Sequence, residues 1–206
     1  MSLKQSSLFT PKKQYYLFFD TETTGLPMHW NTPATDINNW PRIVQIAWQL
    51  HTDEGTEVTN RNYIIQPQGF TIPKESSDIH GITQDRAQTE GVPLQTVLQE
   101  FQEYIDKADF LVAHNISFDE KVVGAEFLRK DMLDTLPLKN KICTKEISTN
   151  FCAIPHSNGK SSYKWPKLSE LYMKLFGEDF ADSHNALADV HATAKCFFAL
   201  KEQGIV

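Results

Sequence analysis

Tyr15-Tyr16-Leu17-Phe18-Phe19-Asp20-Thr21-Glu22-Thr23-Thr24-Gly25 runs from five apolar or aromatic residues straight into two acids spaced two apart. The apolar run reads as a buried strand. Side chains alternate along a strand, so Asp20 and Glu22 point to the same side. Two carboxylates on one face at the end of a buried strand repel each other, and the arrangement is costly unless a cation or protons compensate. The competing reading is an exposed strand end with two solvated acids, since short acidic motifs match often by chance. What surrounds the stretch decides between them.

Downstream, Ile43-Val44-Gln45-Ile46-Ala47-Trp48-Gln49-Leu50 reads as a second strand. A third, around residues 57–66, follows the turn signal Asp53-Glu54-Gly55, so the two form a hairpin. Pro93 sits at a first helical turn, and Leu94, Val97, Leu98, Phe101 and Ile105 recur at helical spacing. Phe110-Leu111-Val112-Ala113 is a short buried strand. Residues 117–130 read as a helix with Phe118, Val122 and Phe127 inward, and Ile142 marks a weak fifth strand. Residues 133–166 are otherwise loop-rich, and helices over 167–176 and about 185–201 close the chain. Three strands followed by strands alternating with helices indicate an α/β domain with a mixed five-stranded sheet flanked by helices. Residues 1–13 are polar and read as a flexible lead-in, leaving 14–206 as one domain. The connection over residues 27–41 is long and holds Trp30 and Trp40, which either stack on a ligand or cap the local core.

Further acids arrive from two other element ends. In Ala113-His114-Asn115-Ile116-Ser117-Phe118-Asp119 a buried strand ends and Asp119 falls in the first turn of a helix. A helix dipole favours an acid there. It does not account for His114 and Asn115 at the strand end, where α/β sheets usually place their ligands. In Ser183-His184-Asn185-Ala186-Leu187-Ala188-Asp189 the acid lies inside the last helix, with small Ala186, Ala192 and Thr193 on its face. Leu187, Val190, Ala194 and Phe197 form an apolar stripe nearby, and a carboxylate beside such packing needs a partner. His184 precedes the helix. Four acids and a histidine thus converge, and oxygen-rich sites suit Mg²⁺ or Mn²⁺. Two such ions can clamp the attacking and leaving oxygens of a phosphoryl displacement. A histidine can take a proton from water near neutrality.

Composition bounds the rest. The chain has 206 residues, 40% hydrophobic and 22% charged, with a formal net charge of −6. That size suits one well-buried domain. The charge argues mildly against a high-affinity duplex binder, but not against a protein gripping a strand end. No apolar run approaches a membrane span and the start lacks a secretory core, so the expected location is cytoplasmic, with no membrane partner. Three cysteines, Cys143, Cys152 and Cys196, cannot all pair with one another, and they read as buried or loop thiols.

Taken in order, these motifs resemble the DEDDh exonucleases, the group containing the proofreading subunit of bacterial DNA polymerase III. They are Phe19 to Leu26, Ala113-His114-Asn115 leading to Phe118-Asp119, and His184 to Asp189, with Ile79-His80-Gly81-Ile82-Thr83 between the first two. The resemblance covers about residues 14–200 and implies a ribonuclease H-like fold. It implies that Asp20, Glu22, Asp119 and Asp189 ligate two divalent ions, Mg²⁺ or Mn²⁺, and that His184 is the general base. The sister group has a Tyr four residues before the last acid; here that position is Asn185, and His184 sits five before. The resemblance further implies substrate contacts at Thr23 and Leu26, with His80, Asn115 and Phe118 as further candidates. His80 could instead fix its loop, Phe118 could be core, and Asn115 could brace the turn. His114 reads as a supporting histidine. Lys160, Lys164 and Lys167 read as a solvated charge cluster or as phosphate contacts.

The implied activity is removal of nucleoside 5′-monophosphates from single-stranded or frayed 3′ ends, DNA preferred over RNA, as in proofreading and DNA repair. The alternatives are an RNA-trimming exoribonuclease and a catalytically silent module binding a polymerase or repair complex. A DNA polymerase is a candidate partner. The chain stops soon after the last helix, without the long tail that tethers a proofreading subunit. That fits a free-standing nuclease or a proofreader bound another way. His184 is expected to be disordered or turned away without nucleotide and metal.

Overall fold

The computed structural model describes residues 13–181 and 184–206. Apart from Lys13, the lead-in expected over residues 1–13 lies outside them, as does Ser183. Five strands form one sheet in the order β3-β2-β1-β4-β5: β1 (Tyr15–Thr23), β2 (Ile43–Thr52), β3 (Glu57–Ile64), β4 (Phe110–Ala113) and β5 (Asn140–Cys143). β1 pairs antiparallel with β2, and β2 with β3, while β4 lies parallel to both β1 and β5. This is the mixed sheet expected, and β1 runs further than its apolar run, carrying Asp20 and Glu22 within the ladder opposite Ala47 and Gln45.

Period two along β1 divides its side chains between two cores. Leu17 and Phe19 enter the larger one, with Trp48, Phe101, Ile105, Val122 and Phe127. Those residues come from β2 and from the helices α3 (Leu94–Lys107) and α4 (Ile116–Arg129). Tyr16 and Phe18 enter the second, with Val112, Val190, Ala194 and Phe197. Here α8 (Ala186–Glu202) covers the sheet. Asp20 and Glu22 continue the Tyr16–Phe18 row, so they emerge on the face that α8 covers.

Two helices were not anticipated between the hairpin and α3, namely α1 (Lys74–His80) and α2 (Gln84–Glu90). Each is only two turns long, too short for its apolar spacing to stand out. The segment expected to be loop-rich likewise holds the single turns α5 (Thr144–Ile147) and α6 (Thr149–Cys152). α7 (Leu168–Phe176) packs beside α8 through Leu171, Tyr172, Ala192, Cys196 and Leu200. All three cysteines are buried and free. Among the described residues no helix is long and apolar enough to cross a membrane.

The long 27–41 connection is tied down. Asn39 brackets His29, its Oδ1 accepting from the His29 N–H at 2.7 Å and its Nδ2 donating to the His29 carbonyl at 2.9 Å. Trp40 is buried and donates through Nε1 to the Pro33 carbonyl at 3.1 Å. Arg129 of α4 donates to the carbonyls of Ile37 and Trp40. Glu126, fully buried, pairs with Arg42 at 2.8 Å and Arg129 at 3.2 Å and accepts from the Ile43 N–H. Trp40 therefore caps the core, whereas Trp30 is half exposed against Phe118.

Candidate active site

Asp20 and Glu22 meet Asp189 where β1 ends under the first turn of α8. One carboxylate oxygen from each lies within 4.8 Å of the others, a spacing that suits a shared cation. The local cause is legible: β1 alternation aims the two acids at α8, and buried Ala186, Val190 and Ala194 seat that helix on the sheet. Asn185 caps α8 by accepting from the Leu187 N–H at 3.1 Å, and Gln45 Oε1 accepts from the Ala186 N–H at 3.2 Å.

Asp119 reaches the same end of the sheet from α4 but outside that trio. It is 3% exposed, and its Oδ1 accepts from both the backbone N–H (3.1 Å) and the hydroxyl (2.7 Å) of Thr21. Thr21 belongs to the opposite row of β1, so these bonds hold Asp119 behind the strand end. It is not the solvent-facing acid that a helix dipole alone would explain.

Charge crowds here. Burial first, then the charges of Asp119, Asp189 and Glu22, hold the Asp20 carboxyl well above its ordinary range. Burial and the charges of Asp189 and Asp119 push Glu22 up to about 8. Burial raises Asp119 to about 7, although the Thr21 hydrogen bonds oppose it. Burial raises Asp189 to about 6, against the His184 N–H and the His184 charge. An acid cluster that resists ionising, converging through oxygens, is the donor chemistry of a hard divalent cation. The residues present fit such an ion.

An open cleft of about 330 Å³ lies over the cluster, lined by Asp20, His114, Lys167, Leu168, Ser169, Phe180, His184 and Asp189. His184 is exposed and lines this cleft. Its backbone is left-handed (φ 72°) and its N–H donates to Asp189 Oδ2 at 3.2 Å, which together hold it on the cleft. His114 is fixed at both ring nitrogens: Thr144 Oγ1 donates to Nδ1 at 2.9 Å, and Nε2 donates to the Pro166 carbonyl at 3.1 Å. Burial lowers its pKa to about 4, so it stays neutral.

The other candidates divide. Thr23 is buried, its hydroxyl donating to the Gly25 carbonyl at 2.7 Å. That bond folds the chain so that Leu26 stands 73% exposed beyond it. Asn115 caps α4 in a left-handed conformation (φ 83°) and takes a hydrogen bond from Lys145, so it braces the turn. Phe118 is half-buried between the core and Trp30. His80 ends α1, is 8% exposed, and accepts at Nδ1 from the Ile82 N–H at 3.1 Å, the loop-fixing bond weighed above. Its Nε2 completes no hydrogen bond among the described residues, though the nearby Thr23 carbonyl favours the charged ring against the larger effect of burial. Of the three lysines, Lys164 pairs with Glu170 at 2.6 Å and Lys167 lines the cleft. Sequence reasoning missed Leu168, Ser169 and Phe180 on the cleft wall, because no motif marks residues that α7 and its following loop carry there.

The exonuclease family model RNase_T matches residues 17–197. The PolC-type DNA polymerase III of Streptococcus pneumoniae is 33% identical over 183 residues, covering 89% of this chain and 11% of the polymerase. That of Staphylococcus epidermidis is 28% identical over 205 residues, covering 93% and 12%. The chain thus spans about a ninth of the relatives it matches. Among solved structures, E. coli exonuclease I in complex with a dA16 oligonucleotide superposes with a TM-score of 0.73 at 19% identity, over 92% of this chain and 41% of that one. The apo exonuclease I gives 0.71 at 19% identity over 92% and 42%. That likeness establishes the ribonuclease H-like fold, and the family match covers nearly the whole chain. The chain belongs to the RNase_T exonuclease family, with the motifs of its DEDDh type.

Proposed function

We propose that this chain removes nucleoside 5′-monophosphates from 3′ ends of nucleic acid, DNA in preference to RNA, with Asp20, Glu22, Asp119 and Asp189 as its metal-site acids and His184 as its base. The observation that carries this is the convergence of Asp20, Glu22 and Asp189 to within 4.8 Å, beneath an open cleft that His184 shares.

Asp20, Glu22 and Asp189 would hold Mg²⁺ or Mn²⁺, with Asp119 completing the negative field from behind. Two such ions when bound supply charge stabilisation to the transferring phosphoryl group. The chain's own residues do the rest. Leu26, exposed beyond the Thr23–Gly25 turn, abuts the terminal base, and Phe118 backs it. The imidazole of His184 takes the proton of the attacking water as the phosphodiester opens. Neutral His114, locked to Thr144 and Pro166, keeps the cleft wall in place. DNA is preferred because the relative sharing 33% identity is a DNA polymerase by name.

The test is digestion of matched DNA and RNA oligonucleotides, labelled at the 3′ or the 5′ end, with Mg²⁺ or Mn²⁺. Early release of mononucleotide from the 3′ label, faster on DNA, is expected. Asp20→Ala and Asp189→Ala should each abolish it, and full activity in either variant would overturn the assignment.

A further inference from the structure

We propose that Trp165, seated on Lys145, is a stacking subsite for a base of single-stranded nucleic acid, engaging a nucleotide upstream of the one removed; this rests on the exonuclease reading above.

Trp165 is 61% exposed. A lone exposed aromatic is ordinary, but this one is fixed from three sides. Before it, the Lys164 N–H donates to the Ile154 carbonyl at 2.9 Å. After it, the Pro166 carbonyl accepts from His114. Beneath it, the Lys145 ammonium lies 4.2 Å from the ring centroid. Lys145 itself donates to Asn115, so the ring is tied to the end of β4, the edge that carries His114 and Asn115. An indole held by the chain on both sides, with a cation at one face and 61% of its surface exposed, presents a flat surface for which no other ring contact is found among the described residues.

Its place relative to the acids gives it an occupant. Two residues on, Lys167 begins the run Lys167-Leu168-Ser169 that lines the cleft with Asp20, His184 and Asp189. A strand whose terminal phosphodiester sits over those acids has the rest of its length to place along the rim. On this rim it meets the ammonium of Lys167 on the cleft wall and, two residues away in the chain, the indole seated on Lys145. A cation beside an aromatic face suits a phosphate–base chain, and stacking tolerates any base. Lys164, spent on Glu170, takes no part.

The experiment compares the native chain, Trp165→Ala and Trp165→Phe on two substrates. One is an oligothymidylate; the other is the p-nitrophenyl ester of thymidine 5′-monophosphate, which has no upstream nucleotide. Trp165→Ala should raise KM on the oligothymidylate by about tenfold and change kcat little, as loss of one stacked base requires. It should leave ester hydrolysis unchanged, and Trp165→Phe should recover most of the loss. Unchanged oligothymidylate KM, equal loss on both substrates, or no recovery by Trp165→Phe would each overturn the proposal. Should the native chain hydrolyse neither substrate, the exonuclease reading fails by itself. The subsite is then decided by affinity for a 5′-fluorescein oligothymidylate in Ca²⁺, where a weakening of about tenfold by Trp165→Ala supports it and equal affinity overturns it.

Discussion

Asp20, Glu22, Asp119 and Asp189 ionise with more difficulty in the folded chain than they do unfolded, because burial raises all four and the neighbouring carboxylates add to it at Asp20, Glu22 and Asp119. Their contribution to stability is therefore full below the ordinary carboxylate range, near about pH 4. It drains as pH rises through the folded values of about 6 for Asp189, about 7 for Asp119 and about 8 for Glu22. Metal-free protein in EDTA should lose melting temperature between those limits, and Asp20→Asn should flatten the loss. Mg²⁺ or Mn²⁺ at roughly a hundred times its dissociation constant should restore about 2.7 kcal/mol, some 5–11 °C in a chain of this size. A pH-independent melting temperature in EDTA would show that the acids do not burden the fold. At the same scale His184 is exposed and belongs to none of the core clusters among the described residues. His184→Ala should leave the melting temperature alone and cut kcat by about 10²–10⁴, as steady-state release of mononucleotide would read; undiminished kcat would remove it from the mechanism.

Elements carry the site through a brace rather than through motifs. Fully buried Glu126 of α4 joins Arg42, Arg129 and the Ile43 N–H, and Arg129 in turn holds the carbonyls of Ile37 and Trp40. Arg42 closes the circuit, exchanging backbone and hydroxyl hydrogen bonds with Thr24 at 2.9 and 3.0 Å. One acid thus fixes both ends of the loop that presents Leu26, Met28 and Trp30. Removing it leaves two half-buried guanidiniums without their counter-charge. Glu126→Ala is expected to cost about 3–5 kcal/mol in a urea titration. Arg129→Ala should speed amide exchange across residues 27–41 while leaving α8 protected. Protection unchanged in that loop would mean that Asn39 and Trp40 suffice to hold it.

At the scale of the molecule, β1 serves both cores, Leu17 and Phe19 facing α3 and α4 and Tyr16 and Phe18 facing α8. A defect on either face should therefore be felt by the whole. Phe101→Ala and Phe197→Ala, both fully buried positions, should each destabilise by about 3–5 kcal/mol. Each should shift one common unfolding transition, the behaviour expected if residues 14–206 are a single domain. Two transitions moving independently in calorimetry would divide that domain.

The sequence by itself determined the sheet, the strand carrying Asp20 and Glu22, the hairpin, and the long helices, because those depend on local periodicity. It also determined the family, because motif order and spacing survive without coordinates. Short α1, α2, α5 and α6 escaped it, their apolar spacing too brief to register. Only the tertiary structure decided which acids share a point. Asp119, named in sequence beside the others, is held by Thr21 at the edge of the trio, close enough for its charge to act on Asp20 and Glu22, while Glu126, which no motif marks, anchors the loop. It likewise decided that Trp40 is core and Trp165 a surface, two indoles that look alike in sequence. The reason is physical: alternation and helical pitch are properties of neighbours along the chain, whereas burial, shared charge and a cation beneath a ring arise from residues brought together across it.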